Sequence, residues 1–326
     1  SGLNSDTGNV MGCAVKADCT VTFIGLKQGL FTGMAADYCG EIQYSSLAVP
    51  KDIIKMMAAA TYRVVKKNFP SRPRSSHKGD NGHVLVIGGD RGYSGAARMA
   101  GEAALRVGAG LVSIATHPEH AGLLNIGRPE LMCHGVENSD QLAVLLSNAD
   151  VIVVGTGLGQ GKWSAELFIA AIKSEKPLII DADGLNLLAH TPEKQANWVL
   201  TPHPGEAARL INCGTATVLH DRFAAVRKLQ AKYGGIIVLK GSGTLIASSE
   251  EVAVSTTGNP GMASGGMGDV LAGVVAGLIS QGLSKKDAAQ QGVYLHGMAG
   301  DLAAEQAGER GLLASDLMPY LRQLVN

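Results

Sequence analysis

With 326 residues, 46% of them hydrophobic, and equal numbers of acidic and basic side chains, 28 of each, the chain can bury one large core or two modest ones. A formal net charge of +0 and the lack of any Lys/Arg-rich block leave no footprint for nucleic acid or an anionic membrane surface, so neither is an expected partner. Five widely spaced cysteines, Cys13, Cys19, Cys39, Cys133 and Cys213, form no CxxC pair, which argues against a disulfide framework or a zinc site and for a reducing, cytoplasmic setting.

Residues 1–50 stand apart from the rest of the chain. AVKADCTVTFIG alternates as one or two strands, KQGLFTGMAADYCGEI is loop-like, and the piece is too small to fold alone. The chain opens at SGLNSDTG without Met and is read as part of something longer. PKDIIKMMAAATYRVVKKNF predicts a helix and SRPRSSHKGD a Pro/Ser/basic junction, so a boundary is placed near residue 50, with 51–74 as helix and linker. From His83 onward, HVLVIGG, LVSIAT, DVIVVGTG, PLIIDADG, WVLTPH, GIIVLKGSG and TLIAS read as short buried strands rich in Val and Ile. GAARMAGEAALRV, SAELFIAAIKS, HDRFAAVRKLQAKY and DVLAGVVAGLIS carry apolar residues at helical spacing. This alternation predicts an α/β domain over 75–326, a mostly parallel sheet with helices on both faces. No signal peptide is evident, and no uncharged apolar run reaches the ~18 residues of a membrane span.

Ligands of such sheets sit beyond the carboxyl ends of the strands, where every polar or glycine-rich motif of this chain falls. GGDRGYSG follows the first strand of a βαβ unit, and the small face Ala96, Ala97, Ala100, Ala103 and Ala104 would let its helix lie close on the sheet. The loop lacks the G-x-G-x-x-G form, and no acid ends the LVSIAT strand, which argues against a dinucleotide fold; an unliganded tight turn is the plain alternative. Gly155, Gly157 and Gly159 end another strand, where bare amides could meet a phosphate or sugar or serve an ordinary turn. Asp181 and Asp183 end the next, and one of them could hold magnesium through water, or Asp183 could cap a helix. In TPHPGE, His203 sits between prolines on a stiff loop and Glu206 enters the first turn of a helix. Lys240 with Gly241, Ser242, Gly243 and Thr244 suits an adenine nucleotide, or forms a hairpin with an exposed Lys; no GxxxxGK[ST] marks a P-loop.

The most informative stretch is NPGMASGGMGDVLAG. Successive amides, including Gly265, Gly266 and Gly268, lead into the positive end of a helix and form an anion hole, with Asp269 at the helix start. The dipole is expected to keep Asp269 charged, fit to orient a hydroxyl, as phosphoryl transfer requires. A plain helix-start charge is the alternative.

GGMGDVLAG resembles the signature of the ribokinase-like superfamily. The ordered set KGDNGHVLVIGG, YSGAARMAGEAALRVGAGLV, GTGLG, DADGLN, TPHPGE, LKGSGT and NPGMASGGMGDVLAG is more similar still to the ADP/ATP-dependent NAD(P)H-hydrate dehydratases, over residues 75–326. Residues 1–50 resemble the closing segment of the NAD(P)H-hydrate epimerase fused ahead of that domain in many bacteria. Ser1 matches a residue of the epimerase's K+ site, which is expected to be idle without the rest of that domain.

The resemblance implies repair of nicotinamide cofactor: the S epimer of NADH hydrate or NADPH hydrate is phosphorylated on its C6 hydroxyl by ADP or ATP, with ADP favoured in bacteria. Phosphate elimination then restores the double bond. It also implies roles: Asp269 as base, Gly265, Gly266 and Gly268 as phosphoryl cradle, and Lys240, Gly241, Ser242, Gly243 and Thr244 as nucleotide holders. Substrate contacts fall at Gly157, His203, Asp269 and Ala97, with Ala96 an open alternative to Ala97. Mg2+ is implied with the nucleotide, without assigned protein ligands, and a homo-oligomer is expected. A small-alcohol kinase related to hydroxyethylthiazole kinase would share GGMGD without needing TPHPGE. A nucleotide-sensing module would dispense with Asp269.

Overall fold

The computed structural model describes residues 2–56, 59 and 61–326. Ser1 lies outside them, and so do Met57, Ala58 and Ala60 of the expected helix. The strands in chain order are β1 (Cys19–Phe23), β2 (Glu41–Ser45), β3 (Thr61–Arg63), β4 (His83–Ile87), β5 (Leu111–Thr116), β6 (Met132–Gly135), β7 (Val151–Val154), β8 (Leu178–Ile180), β9 (Trp198–Leu200), β10 (Ile236–Leu239), β11 (Thr244–Ala247) and β12 (Val252–Ser255). Strands β1 and β2 pair in parallel as a small sheet of their own. The main sheet among the described residues runs β3-β12-β11-β10-β9-β8-β7-β4-β5-β6, with only β11 antiparallel to its neighbours. The carboxyl ends of β4, β7, β8, β9, β10 and β12 therefore share one edge.

The helices are α1 (Lys51–Met56), α2 (Ser94–Arg106), α3 (Ser139–Asn148), α4 (Lys162–Ile172), α5 (Ala182–His190), α6 (Pro204–Leu210), α7 (Thr215–His220), α8 (Arg222–Tyr233), α9 (Met267–Ser280), α10 (Lys285–Ala307) and α11 (Met318–Leu324). Side chains of a strand point alternately to opposite faces, so Val84 and Val86 join one core with α2, α9 and α10, while Leu85 and Ile87 join a second with α4, α5 and α8. Burial on both faces is why these strands read as continuous apolar runs.

Three expectations are corrected. The helix expected over 50–69 does not run through: α1 is described over Lys51–Met56, and Thr61–Arg63 pairs in parallel with β12 and extends the main sheet. The loop-like stretch ends in β2. The small face of α2 lies against α9 as well as the sheet: a Cβ on Gly273 would fall 2.0 Å from the Ala100 carbonyl oxygen, and one on Gly277 would fall 2.8 Å from that of Ala104. This helix contact, added to the expected approach to the sheet, accounts for the run of small residues. No helix among the described residues is long and apolar enough to cross a membrane.

Candidate active site

The Asn259–Gly266 loop is braced from below. Asn259 Oδ1 accepts the Gly261 amide at 3.0 Å, and Asp301 accepts the Gly258 amide at 2.9 Å and Asn259 Nδ2 at 3.0 Å. Gly266, with φ 91°, begins α9 in the left-handed region that favours glycine, and a Cβ there would strike Met99 Sδ at 2.7 Å. Gly265 is exposed, and a Cβ there would meet nothing within 4 Å. A Cβ on Gly268 would stand 3.2 Å from Lys240 Nζ and 3.3 Å from Asp181 Oδ2, so its bare backbone is what admits those two groups to the helix start. Asp269 lies in the same first turn.

Lys240 is the hub of the site. It leaves β10 at the start of a hairpin into β11, as the plain reading anticipated, yet its side chain is only 20% exposed. Its Nζ pairs with Asp181 Oδ1 at 2.7 Å and stands 3.9 Å from Glu206 Oε2. Asp181 is 1% exposed and also accepts Thr201 Oγ1 at 2.8 Å; Glu206 is buried, and its Oε2 accepts the His203 amide at 2.8 Å. Burial pulls the Lys240 ammonium toward deprotonation, but Asp181, Glu206 and Asp269 outweigh it and hold the group above its ordinary range.

Asp269 differs from expectation. Burial, then the Asp181 charge, push its carboxyl up to about 7, against the opposing pull of Lys240. The helix dipole, worth ~0.3–1 kcal/mol, does not overcome burial beside a second carboxylate. Asp269 is therefore poised to take a proton near neutrality rather than fixed in its charged form.

The other site residues fall in two places. His203 caps α6, its Nδ1 accepting the Gly205 amide at 3.0 Å and its Nε2 lying 3.2 Å from Glu206 Oε1. Through Glu206 it joins the Lys240 cluster. Gly157, with φ 59°, comes against Tyr93 and Ala96: a Cβ there would fall 3.0 Å from the Ala96 Cβ. Ala97 is 0% exposed, so its side chain offers a ligand no surface, whereas Ala96 is partly exposed at the Gly157 loop. Asp183 caps no helix; it accepts the Gly159 amide at 2.9 Å and shapes the GTGLG loop, while Asp181 occupies the N-cap of α5. Gly241 and Ser242 are exposed at the hairpin tip, Gly243 is partly so, and Thr244 Oγ1 donates to the Gly241 carbonyl at 2.9 Å.

Two features escaped sequence reasoning. Asp181 and Glu206 act as joint partners of Lys240 because β8, β9 and β10 are neighbours in the sheet, and strand order is not written in any motif. His296 of α10 is buried near the start of α9, with Nε2 unpaired, and burial lowers its imidazole to about 4, so it is neutral. Among the described residues no group of three or more His, Cys, Asp or Glu side chains is placed to hold a metal ion.

A glycine hole at a helix start, beside an acid tuned near neutrality and a buried lysine, is the equipment of a ribokinase-like α/β phosphoryl-transfer protein. The chain belongs to the NAD(P)H-hydrate dehydratase family, which matches residues 84–323. It is 52% identical, over its whole length, to the bifunctional NAD(P)H-hydrate repair enzyme of Coxiella burnetii, and 46% identical to that of Escherichia coli. It spans 68% and 64% of those two proteins, about two thirds of their length. Among solved structures it resembles the Bacillus subtilis ADP/ATP-dependent NAD(P)H-hydrate dehydratase co-crystallised with ATP and Mg2+, with a TM-score of 0.70 and 29% identity, covering 79% of this chain and 93% of that one.

Proposed function

We propose that the chain dehydrates the S epimer of NADH hydrate and NADPH hydrate at the expense of ADP, restoring the dihydronicotinamide and releasing AMP and phosphate. The observation that carries this reading is Asp269, raised to about 7 at the mouth of the glycine hole. In the proposed reaction Asp269 takes the proton of the C6 hydroxyl as that oxygen attacks the β-phosphorus of ADP, and the bond to AMP breaks. The Gly265, Gly266 and Gly268 backbone faces the transferring phosphoryl, whose negative charge the α9 terminus stabilises. Phosphate then leaves C6 with its bonding electrons and C5 loses a proton, which re-forms the 5,6 double bond.

Lys240 and the Gly241–Thr244 turn hold the nucleotide, with Lys240 kept protonated by Asp181 and Glu206. Ala96, Gly157 and His203 line the substrate side, with Ala97 behind Ala96. Mg2+ would neutralise and orient the nucleotide phosphates. Asp181 is already committed to Lys240 and Thr201, and Glu206 to the His203 amide, which fits a magnesium ion carried mainly by phosphate oxygens and water.

The test is hydrate-dependent recovery of dihydronicotinamide absorbance with ADP and then ATP. Recovery faster with ADP, together with AMP release, is expected. Phosphorylation of a thiazole alcohol without absorbance recovery would transfer the chain to the small-alcohol kinases.

A further inference from the structure

Arg222, the first residue of α8, is 2% exposed, and among the described residues no carboxylate lies within 4.0 Å of its guanidinium. A buried cation without a counter-charge is tolerated only where dipoles are aimed at it. Here the dipoles belong to the Lys240–Thr244 turn. Arg222 Nη2 donates to the Leu239 carbonyl at 3.2 Å and the Gly243 carbonyl at 3.4 Å, and Nη1 donates to the Lys240 carbonyl at 3.3 Å. Nε donates to Thr32 Oγ1 at 2.9 Å.

Thr32 lies outside the family match at 84–323, yet it reaches the same turn. Its hydroxyl stands 3.0 Å from the Gly243 carbonyl oxygen and 3.3 Å from that of Ser242, and the Gly33 amide donates to the Ser242 carbonyl at 3.0 Å. A Cβ on Gly243 would fall 1.8 Å from the Phe31 carbonyl oxygen, so the two segments are in direct backbone contact.

In a trans peptide the carbonyl and the following amide point in opposite directions. Holding the Lys240 and Ser242 carbonyls against Arg222 and residues 32–33 therefore turns the Gly241 and Gly243 amides away from them, and neither amide has a protein acceptor among the described residues. We propose that Arg222 and Thr32 are positioning residues that aim the amides of the Lys240–Thr244 turn at the adenine nucleotide. The amino-terminal segment thereby adds a second brace to a turn that Arg222 supports from within the matched region. The inference rests on the reading of this turn as the nucleotide site.

The test uses the full chain with Thr32→Val, Thr32→Ser, Arg222→Lys and, as control, Lys240→Ala. Thr32→Val keeps shape and removes the hydroxyl that a buried cation bonds. The KM for ADP is expected to rise about tenfold, while kcat and the KM for hydrate stay within about twofold. Thr32→Ser restores the parent KM for ADP, and Arg222→Lys, unable to span all four acceptors, raises it. Unchanged ADP affinity in Thr32→Val, or equal losses in both KM values and kcat, overturns the positioning role. If Lys240→Ala also leaves ADP affinity unchanged, it is the reading of the turn as a nucleotide site that fails.

Discussion

Asp269→Asn should separate catalysis from stability in opposite directions. Asn keeps the size of the side chain and its hydrogen bonding at the start of α9, but it can neither ionise nor accept the hydroxyl proton. General-base assistance is worth ~10²–10⁴ in rate, so kcat should fall by about that factor. The stability effect follows from linkage. A carboxyl raised from 3.8 to about 7 contributes stability that is fully present below the unfolded value and is lost as pH rises toward the folded one. Above pH 7 the folded protein carries an ionised Asp269 that the fold disfavours by at most ~4 kcal/mol, and partial exposure reduces this to about 1–4 kcal/mol. The Asn variant should therefore melt several degrees higher than the parent at pH 8, with the gap closing toward pH 4. Melting curves across that range and the pH dependence of kcat/KM, whose acidic limb should lie near 7, check both halves. A kcat within about threefold of the parent would falsify the catalytic role, and a melting gap independent of pH would refute the placement of the charge.

Asp181→Asn removes the anion that helps raise Asp269, so the acidic limb of kcat/KM should move to lower pH; a stationary limb would mean the two carboxylates are uncoupled. Lys240→Ala should weaken ADP binding more than it lowers kcat and shift the limb to higher pH, because Lys240 opposes the rise in Asp269. It also leaves Asp181 buried without its cation, a loss of about 3–5 kcal/mol in a denaturant titration. Gly273→Ala places a methyl 2.0 Å from the Ala100 carbonyl oxygen and should cost about 1–3 kcal/mol by the parting of α2 and α9; an unchanged melting temperature would show that these helices yield freely.

Much of the main sheet was legible because doubly buried strands leave an unmistakable run of Val and Ile, as at β4 and β7. Of the strands that escaped notice, β12 (VAVS) is short but fully buried, whereas β3 and β6 lack that run. MCHG of β6 and TYR of β3 are half-buried or exposed edge strands, so tertiary pairing, not local pattern, makes them strands. Within the site, Asp269 and the glycine hole were legible because their chemistry is local to one loop and one helix start. The raised proton affinity of Asp269 was not, since it arises from burial in the folded site and then from Asp181, 88 positions earlier in the chain. Thr32 was less legible still, being brought to the Lys240–Thr244 turn by packing of a segment that carries no motif of its own.

The sheet order explains why three acids meet around one lysine at the start of α9. Because β8, β9 and β10 are adjacent, Asp181, Glu206 and Lys240 are delivered side by side, and α9 lowers Asp269 onto the group through the gap at Gly268. With Asp269 ionised, three carboxylates share one ammonium, an excess of negative charge that the fold disfavours. In the proposed reaction Asp269 accepts the hydroxyl proton, and that excess falls by one at the step where negative charge gathers on the transferring phosphoryl. The burial and repulsion that raise Asp269 would thus be relieved along the proposed reaction coordinate, which is the direction of differential binding that accelerates a reaction. Without Asp181 the same carboxylate would be ionised at lower pH and would be a weaker base in the proposed reaction. Burial first, then the Asp181 charge against the pull of Lys240, is what lifts the acid at the helix start, and neither partner is written in its local motif.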